Sequence, residues 1–244
     1  DGWLPLWEIW GREGFDMIGN HSVPVLLDAY RKGFRFDAKE AFGFIRESLL
    51  RNHEGNGKDS WEIYDRYGYY PCDLVRTEGV SRTLECCYDD WCAAEFAHEL
   101  GLADDERVFR RRADYWRNVI DPGTGYARGR KSDGTWRTPF EHKWGWIPKE
   151  FGGGCDFTEG NAWQQSFYCP HDFDGLVAAR GGRVTSLSDG HDLKVTGAAD
   201  PNLDRLGRYK FNGGYAGGTT APDFATADTS VGTARVGSYE PNAY

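Results

Sequence analysis

The stretch SRTLECCYDDWCAAEFAHEL, residues 81–100, predicts the longest helix of the chain. Ser81 stands where an N-cap is expected, because its hydroxyl can accept a hydrogen bond from a backbone N–H of the first turn. Further along, Asp89 and Asp90 are adjacent. Neighbouring side chains on a helix point about 100° apart. We therefore expect one carboxylate to face the core and a polar partner, and the other to face solvent.

Helical spacing recurs on both sides of this stretch. Further helices are predicted over 22–32 (SVPVLLDAYRK), 37–51 (DAKEAFGFIRESLLR), 104–119, 159–167 and 172–179. Pro24 suits a first turn, Asp37 an N-cap and Gly33 a C-cap. The expected inward positions are Val25, Leu26, Ala29 and Tyr30 in the first, Ala41, Phe44, Ile45, Ser48 and Leu49 in the second, and Phe109, Ala113 and Trp116 in the fourth. Successive helices joined by long aromatic-rich loops indicate a mainly α fold, a helical barrel with its site at one end.

Composition excludes several classes of partner. The 244 residues carry a net charge of −9, with a pI of about 5.2. Nucleic acids and anionic membranes both need a basic face, so neither is expected as a partner. No apolar run approaches the roughly 20 residues of a spanning helix. The chain opens on Asp1 without a signal peptide, which indicates a processed, trimmed or partial product.

Aromatic residues divide the chain in two. All ten tryptophans lie between Trp3 and Trp163, and the Gly-, Ala- and Thr-rich remainder has none. We therefore predict a packed helical part over residues 1–181 and an atypical segment of loops, short strands or partly disordered chain over 182–244. The tryptophans fill a core or line a sugar-binding cleft, and composition leaves both interpretations open. The six cysteines contain no C-x-x-C pair, so buried free thiols are expected rather than a zinc site.

The run FTEGNAWQQ, residues 157–165, concentrates the groups that a sugar site needs. Glu159 can protonate a leaving oxygen, Asn161 and Gln164 can bind hydroxyls, and Trp163 offers a flat apolar face. The alternative is a helix start capped by Thr158 with a buried Trp, and it stays open.

Other polar positions have competing interpretations. His21 precedes a predicted helix, where it binds a substrate hydroxyl or caps the helix. Arg128, Arg130 and Arg137 flank a turn at residues 133–134, and surface arginines on a hairpin are the favoured interpretation. No histidine zinc pattern is present, whereas a calcium site held by carboxylates and carbonyls leaves no readable spacing.

Several blocks in the same order resemble the family 92 glycoside hydrolases. The resemblance covers about residues 1–180 and rests on WE at 7–8, MIGNH at 17–21, DAY at 28–30, YGYYP at 67–71, VSRTLE at 80–85, YDDW at 88–91, GTWRTPF at 134–140, TEGNAWQ at 158–164 and PHD at 170–172. This family is known for calcium-dependent exo-acting α-mannosidases with an N-terminal β-sandwich and an (α/α)6 barrel of the six-hairpin type. The resemblance implies that this chain is part of such a barrel.

The resemblance also implies site residues. Glu159 matches the general acid of an inverting hydrolase that removes terminal α-linked mannose, so it is expected in a site that raises its pKa. His21, Asp90, Asn161, Trp163 and Gln164 are the expected substrate-binding residues. Calcium is the expected cofactor, and Glu240, in a segment that resembles the family's Asn-Glu-Pro block, is a candidate ligand.

Some family features are absent from the chain. The later Gly-Asn-Asp-Asp segment that carries the general base in the family, the early Trp-Asp-Thr segment and the β-sandwich have no match. An inverting enzyme needs a second carboxylate about 6.5–9.5 Å from the acid. We therefore expect that the missing part of the catalytic domain, or another chain, is required for activity on mannose-containing glycans.

Two other functions remain open. One is a carbohydrate-binding or incomplete remnant without catalysis, and the other is a trehalase-like or glucoamylase-like barrel glycosidase. An extracellular or periplasmic location follows from the family's use of external glycans, not from the chain itself.

Overall fold

A computed structural model describes residues 2–53 and 60–180 of the chain. These residues form a two-stranded hairpin followed by helices. The elements are β1 (Glu8–Ile9), β2 (Arg12–Glu13), α1 (Ser22–Arg31), α2 (Ala38–Leu50), α3 (Trp61–Tyr67), α4 (Gly79–Glu99), α5 (Ala103–Ala113), 3-10 turns at Asp114–Val119 and Lys149–Phe151, α6 (Ala162–Gln165) and α7 (Phe173–Ala179). The prediction of a mainly α fold is confirmed.

Two helical hairpins lie side by side and run in the same sense. Within the second hairpin α4 and α5 are antiparallel, since Arg110 of α5 bonds Glu95 of α4 at 2.9 Å and Arg112 bonds Asp90 at 3.1 Å. His21, just before α1, contacts Asp89 in the middle of α4, and Arg31, at the end of α1, bonds Glu95 nearer the end of α4 at 2.7 Å. Helices α1 and α4 are therefore parallel.

The contacts between α2 and α5, the second helices of the two hairpins, also define their relative direction. Arg46 of α2 bonds Asp105 near the start of α5 at 2.9 Å, and Arg112 donates to the Leu49 carbonyl at 2.9 Å. Helices α2 and α5 are therefore parallel to each other. Repeated hairpins in this arrangement build a helical barrel, so the starts of α1 and α4 lie at one end of the described part.

Helix α4 lies at the centre of the core. It is buried around most of its circumference, and a stripe with Glu85, Tyr88, Trp91 and Glu95 is partly exposed. One cluster packs its C-terminal half against α1, α2, α3 and α5, with Val23, Leu27, Phe42, Ile45, Phe96 and Phe109 among its members. A second cluster packs its N-terminal half against the later loops, with Val80, Leu84, Cys87, Trp116, Phe157 and Leu176.

Both adjacent carboxylates of α4 are buried. Asp89 and Asp90 are each 0 % exposed, so the prediction that one of them faces solvent is wrong. The Asp90 carboxylate accepts hydrogen bonds from Arg112 Nε at 3.1 Å and from the Tyr64 hydroxyl at 3.2 Å. Burial raises the pKa of Asp90 to about 7, and the adjacent Arg112 opposes that rise. The guanidinium also lies over the ring of Trp61, 4.7 Å from its centroid.

Several predicted helix ends and faces differ from the structure. Helix α4 begins at Gly79, two residues before the expected cap. A side chain at Gly79 would come within 2.8 Å of the Tyr70 carbonyl, so only glycine fits there. In α1 the buried residues are Val23 and Leu27, whereas the predicted Val25 is 66 % exposed. Val23 and Leu27 also have helical spacing, so spacing alone does not decide which apolar residues of α1 are buried.

Other sequence predictions hold with small corrections. Asp37 caps α2 through the N–H groups of Lys39 and Glu40, and Phe109, Ala113 and Trp116 are buried. The predicted fourth helix becomes a 3-10 turn after Ala113. The fifth is a single turn, α6, and the seven-residue α3 was not predicted. In α2, Phe42 is buried and Phe44 only partly so. All six cysteines are free and buried, as expected.

Two further features complete the fold. Within the described ranges no helix has both the length and the apolar character to cross a bilayer. The predicted atypical segment, residues 182–244, lies outside the described residues, as does Glu240 within it.

We expect the buried pair of Asp90 and Arg112, which joins α4 and α5, to stabilise the fold. Replacing Asp90 with Asn removes the anion nearest to Arg112 and leaves only the half-exposed Asp65, 3.7 Å away, so we expect the free energy of unfolding to fall by about 3 kcal/mol. Urea denaturation of the full-length protein measures this change.

The matched control is the exposed pair of Asp28 and Lys32, whose side chains are 60 % and 64 % exposed. Asp28→Asn should cost less than about 1 kcal/mol. The double variant Asp90→Asn/Arg112→Met should regain stability relative to Asp90→Asn. Equal, small effects for both single variants would contradict the structural role of the buried pair.

Candidate active site

Two distant segments meet at the start of α4. Thr77 and Cys155 form an isolated parallel bridge, and the Glu78 N–H donates to the Cys155 carbonyl at 2.7 Å. The Val80 N–H donates to the Asp156 carbonyl at 3.0 Å. Gly154 permits this approach, since a side chain there would lie 2.4 Å from the Arg76 carbonyl. The FTEGNAWQQ run is thereby attached to the N-terminal end of α4.

Ser81 fixes the loop that carries Glu159. The prediction that Ser81 caps α4 is wrong, because this residue is fully buried within the first turn. Its hydroxyl accepts a hydrogen bond from the Thr158 N–H at 3.0 Å and donates to the Gln165 side-chain oxygen. Gln165 in turn donates to the Thr158 carbonyl at 2.5 Å. The residues on both sides of Glu159 are thus held by one helix.

Glu159 stands at the tip of a tight turn. Its φ is +48°, in the left-handed region that non-glycine residues rarely adopt. Gly160 follows, where a side chain would come within 2.9 Å of Gln165 and 3.1 Å of Gln164. Strained backbone of this kind is frequent at functional sites. The Glu159 side chain is exposed, so the described residues do not supply the desolvated setting expected for an acid.

An open cavity of about 580 Å3 contains Glu159. Its volume falls in the range of small-ligand sites, roughly 300–1,000 Å3. It is lined by Thr77, Glu78, Gly145, Trp146, Cys155, Phe157, Glu159, Gly160, Asn161 and Gln164. Two carboxylates, two amides and an indole around one space can bind the hydroxyls and the apolar face of a sugar.

The structure brings three of the predicted site residues into this cavity: Glu159, Asn161 and Gln164. Asn161 also caps α6, since its side-chain oxygen accepts from the Gln164 N–H at 3.1 Å, so the cap predicted at Thr158 belongs to Asn161. Trp163 is not part of this cavity wall: its ring is nearly perpendicular to that of His142, and the Lys143 ammonium lies 5.3 Å from its centroid.

His21 lies in a second cavity. This space of about 510 Å3 is mainly apolar and includes Trp7, Ile18, Leu26 and Glu85 in its wall. The His21 ring nitrogens contact Glu85 at 2.8 Å and Asp89 at 3.1 Å. Both nitrogens can donate only as imidazolium. His21 stands at the N-cap position of α1, but its side chain makes no capping hydrogen bond.

The remaining predicted positions serve the fold. Asp90 is enclosed between α3, α4 and α5, away from both cavities. The arginines of the predicted hairpin are largely buried: Arg137 makes three hydrogen bonds to the buried Asp156, and Arg128 bonds Asp121 at 2.9 Å. Burial raises the pKa of Asp156, and Arg137 opposes that rise.

Sequence reasoning missed three residues of this site: Glu78, Trp146 and Gln165. Gln165 could have been found, since it ends the FTEGNAWQQ run. A single acid before a helix, as at Glu78, looks like an ordinary N-terminal charge. Trp146 lies in a loop with several aromatic residues, and nothing in the sequence distinguishes it from the others.

Metal ligands do not converge in the described part of the chain. Across residues 2–53 and 60–180 no three His, Cys, Asp or Glu side chains are close enough to hold an ion. The candidate ligand Glu240 lies outside these ranges. The described residues alone therefore supply no cluster of three such side chains for a calcium ion.

Parallel helical hairpins with a carboxylate- and amide-lined cavity at one end are typical of helical-barrel glycoside hydrolases. The chain belongs to glycosyl hydrolase family 92: the family's catalytic domain matches residues 1–196. The predicted resemblance is confirmed, and the described helices are part of the (α/α)6 barrel of that family.

Solved and curated relatives agree. The GH92 α-mannosidase BT3965 from Bacteroides thetaiotaomicron is 38 % identical, with a TM-score of 0.65 over 73 % of this chain and 22 % of its own. The inverting mannosidase BT2199 from the same organism is 34 % identical, with a TM-score of 0.65 over 73 % and 23 %. A protein of Arthroderma benhamiae named an uncharacterized secreted glycosidase is 25 % identical over 80 % and 29 %. The chain thus spans less than a third of each.

The contacts of His21 predict an unusual titration. Hydrogen bonds to Asp89 and Glu85 raise its pKa from 6.5 to about 10. A raised folded-state pKa stabilises the fold fully below the unfolded value, and the contribution is lost as the pH rises through the folded value. We expect the stability difference between wild type and His21→Gln to be constant below pH 6.5 and to shrink towards pH 10.

Proton NMR of the His21 ring provides the direct measurement. Glu85→Gln should lower the pKa of His21, because it replaces one of the two anions with a neutral amide. A His21 ring that titrates near 6.5 in the wild type would contradict the paired geometry.

Proposed function

We propose that this chain contributes to an enzyme that hydrolyses terminal α-linked mannose from glycans with inversion, with Glu159 as the general acid. The observation that carries the proposal is the fixed Glu159 turn at the mouth of a cavity with sugar-binding groups. BT3965, which is 37–38 % identical, has been solved with mannoimidazole, and BT2199 is named an inverting mannosidase.

Glu159 acts by protonating the leaving oxygen. In its protonated form the carboxyl donates to the glycosidic oxygen as the bond to the sugar breaks, so the departing sugar leaves as a neutral alcohol. The Ser81, Thr158 and Gln165 contacts hold the turn in place during this transfer, which limits the movement of the acid. Desolvation of Glu159 must come from the substrate or from chain outside the described residues.

The second carboxylate belongs to another part of the protein. Inversion requires a base that activates water on the opposite face of the sugar ring. The family's acidic segment has no match in this sequence, so we assign the base to the remaining length of the catalytic domain or to another chain. The chain's short span of its relatives fits this assignment.

Calcium enters the proposal through the family alone. A calcium ion bound as the family resemblance implies would hold hydroxyls of the mannose and favour a distorted ring. The described residues form no ligand cluster, so we assign it to the rest of the domain, with Glu240 as a candidate ligand. No catalytic step is assigned to the ion.

Two alternatives differ in their outcomes. A non-catalytic carbohydrate-binding remnant would bind mannose without turnover, and the missing base favours this alternative. A trehalase-like or glucoamylase-like specificity would favour glucosides, but nothing in the cavity speaks for glucose. The expected extracellular or periplasmic location is also a proposal, and the secreted relative supports it.

Hydrolysis of α-1,2-linked mannobiose by the full-length protein tests the proposal. Glu159→Gln should lower kcat about 10²- to 10⁴-fold, since a general acid contributes that much. α-Mannosyl fluoride should be affected far less, because fluoride leaves without a proton. Parallel assays in EDTA and in added calcium test the metal separately.

Thermal unfolding of Glu159→Gln should match the wild type, because the exposed side chain contributes little to the core. Mannobiose hydrolysis that is unchanged in Glu159→Gln would remove Glu159 as the acid. A wild-type protein that hydrolyses glucosides and not mannosides would overturn the substrate assignment.

A further inference from the structure

Glu78 shares the Glu159 cavity and is held as firmly as Glu159. Its φ is +64°, again in the left-handed region. Its N–H donates to the Cys155 carbonyl at 2.7 Å, and its carbonyl accepts from the Arg82 N–H at 2.8 Å. Both sides of the peptide are thus fixed, one by the loop and one by α4. A strained backbone that is clamped in this way gives the side chain a defined direction.

Arg82 orients the Glu78 carboxylate. The buried guanidinium lies 3.6 Å from a carboxylate oxygen of Glu78 and 3.3 Å from the Thr77 hydroxyl. The Glu78 side chain is 17 % exposed, and it lines the cavity. An oriented carboxylate beside a hydroxyl can accept hydrogen bonds from vicinal hydroxyl groups, the pattern that every hexose presents.

Trp146 gives the cavity an apolar surface. The indole is 73 % exposed, and it borders a cavity that also contains charged groups. The loop of Trp146 lies against the Glu159 turn, since a side chain on Gly145 would come within 3.4 Å of the Gly160 carbonyl. An exposed indole beside an oriented carboxylate and two amides has the chemistry of a sugar subsite.

The position of Glu159 relative to the bond that breaks indicates which sugar ring this subsite binds. The acid must reach the glycosidic oxygen between the terminal sugar and the leaving sugar. The cavity beside it therefore binds one of these two rings. In cleavage of a terminal residue the terminal ring is enclosed, whereas the ring on the other side of the bond extends towards solvent. The base that acts on the terminal ring is assigned to chain outside the described residues, so the cavity that the described residues form around Glu159 is left for the second ring.

On the basis of the proposed function, we infer that Glu78 and Trp146 form the subsite for the leaving sugar. Glu78 accepts hydrogen bonds from hydroxyls of that ring, and Trp146 stacks against its apolar face. These residues therefore select for a second sugar on the leaving side. They do not act on the bond that breaks.

A comparison of two substrates tests this inference in the full-length protein. α-1,2-Linked mannobiose has a leaving sugar, and α-mannosyl fluoride does not. Glu78→Gln should lower kcat/KM for mannobiose about 10- to 100-fold, the loss expected for a hydrogen bond to a charged group. Trp146→Ala should lower it about 3- to 10-fold. Both variants should keep kcat/KM for the fluoride within about twofold of wild type, because the fluoride makes no contact in this subsite.

Trp10→Ala is the matched control, since Trp10 is 98 % exposed at the tip of the β1–β2 hairpin and is not part of the cavity wall. It should change neither substrate. Glu78→Gln also alters the contact with Arg82, so its thermal unfolding is measured alongside. If that variant unfolds early, Trp146→Ala decides the question, because an exposed indole does not stabilise the core.

The outcomes separate the two proposals. Equal losses on both substrates in folded variants would place Glu78 and Trp146 at the terminal sugar and overturn the inference, as would unchanged mannobiose kinetics. A wild type that releases mannose from neither substrate overturns the proposed function instead. Calorimetric binding of mannobiose to Glu159→Gln then tests the subsite alone: adding Trp146→Ala should weaken Kd, and an unchanged Kd would overturn the inference.

Discussion

Asp89 and Asp90 are adjacent on α4 and both are removed from water, so each needs hydrogen-bonding or charged partners from the surrounding chain. An unpaired buried charge would cost several kcal/mol, on the order of the whole net stability of a domain. Because their side chains point in different directions around the helix, one partner must come from each side. Asp89 takes His21 at the start of α1, and Asp90 takes Arg112 at the end of α5. The electrostatic requirement of two carboxylates thus fixes the helix between its neighbours.

The candidate site depends on the same helix. Once α4 is fixed, its first turn presents Ser81 to the Glu159 loop and places Glu78 beside it. The groups that would contact a sugar lie on tight turns, while the groups that hold those turns are buried in the helix. Position and chemistry are therefore supplied by different residues, which is the usual division between a rigid scaffold and a functional loop.

Residue patterns were sufficient for the mainly α fold and for the caps of short-range origin, such as Asp37, because these depend on neighbours a few positions away. They were insufficient at Ser81. A serine near a helix start normally caps it, and only the structure shows that Thr158 and Gln165 require its hydroxyl instead. The partners of Asp89 and Asp90 were hidden for the same reason: the cations lie on other helices. Glu159 was found because several blocks match a family in order, whereas the shape of the cavity and the roles of Glu78 and Trp146 depend on contacts that no local spacing encodes.

The Ser81 contact also sets an order of events for the newly made chain. Thr158 is 77 residues from Ser81, whereas the Arg112–Asp90 pair of the second hairpin spans 22. Closing the longer loop costs about 1 kcal/mol more in chain entropy. Contacts between residues that are close in sequence form faster than contacts between distant ones. Docking of the Glu159 turn on Ser81 is therefore expected to follow the closing of the α4–α5 hairpin, whose contacts are much closer in sequence.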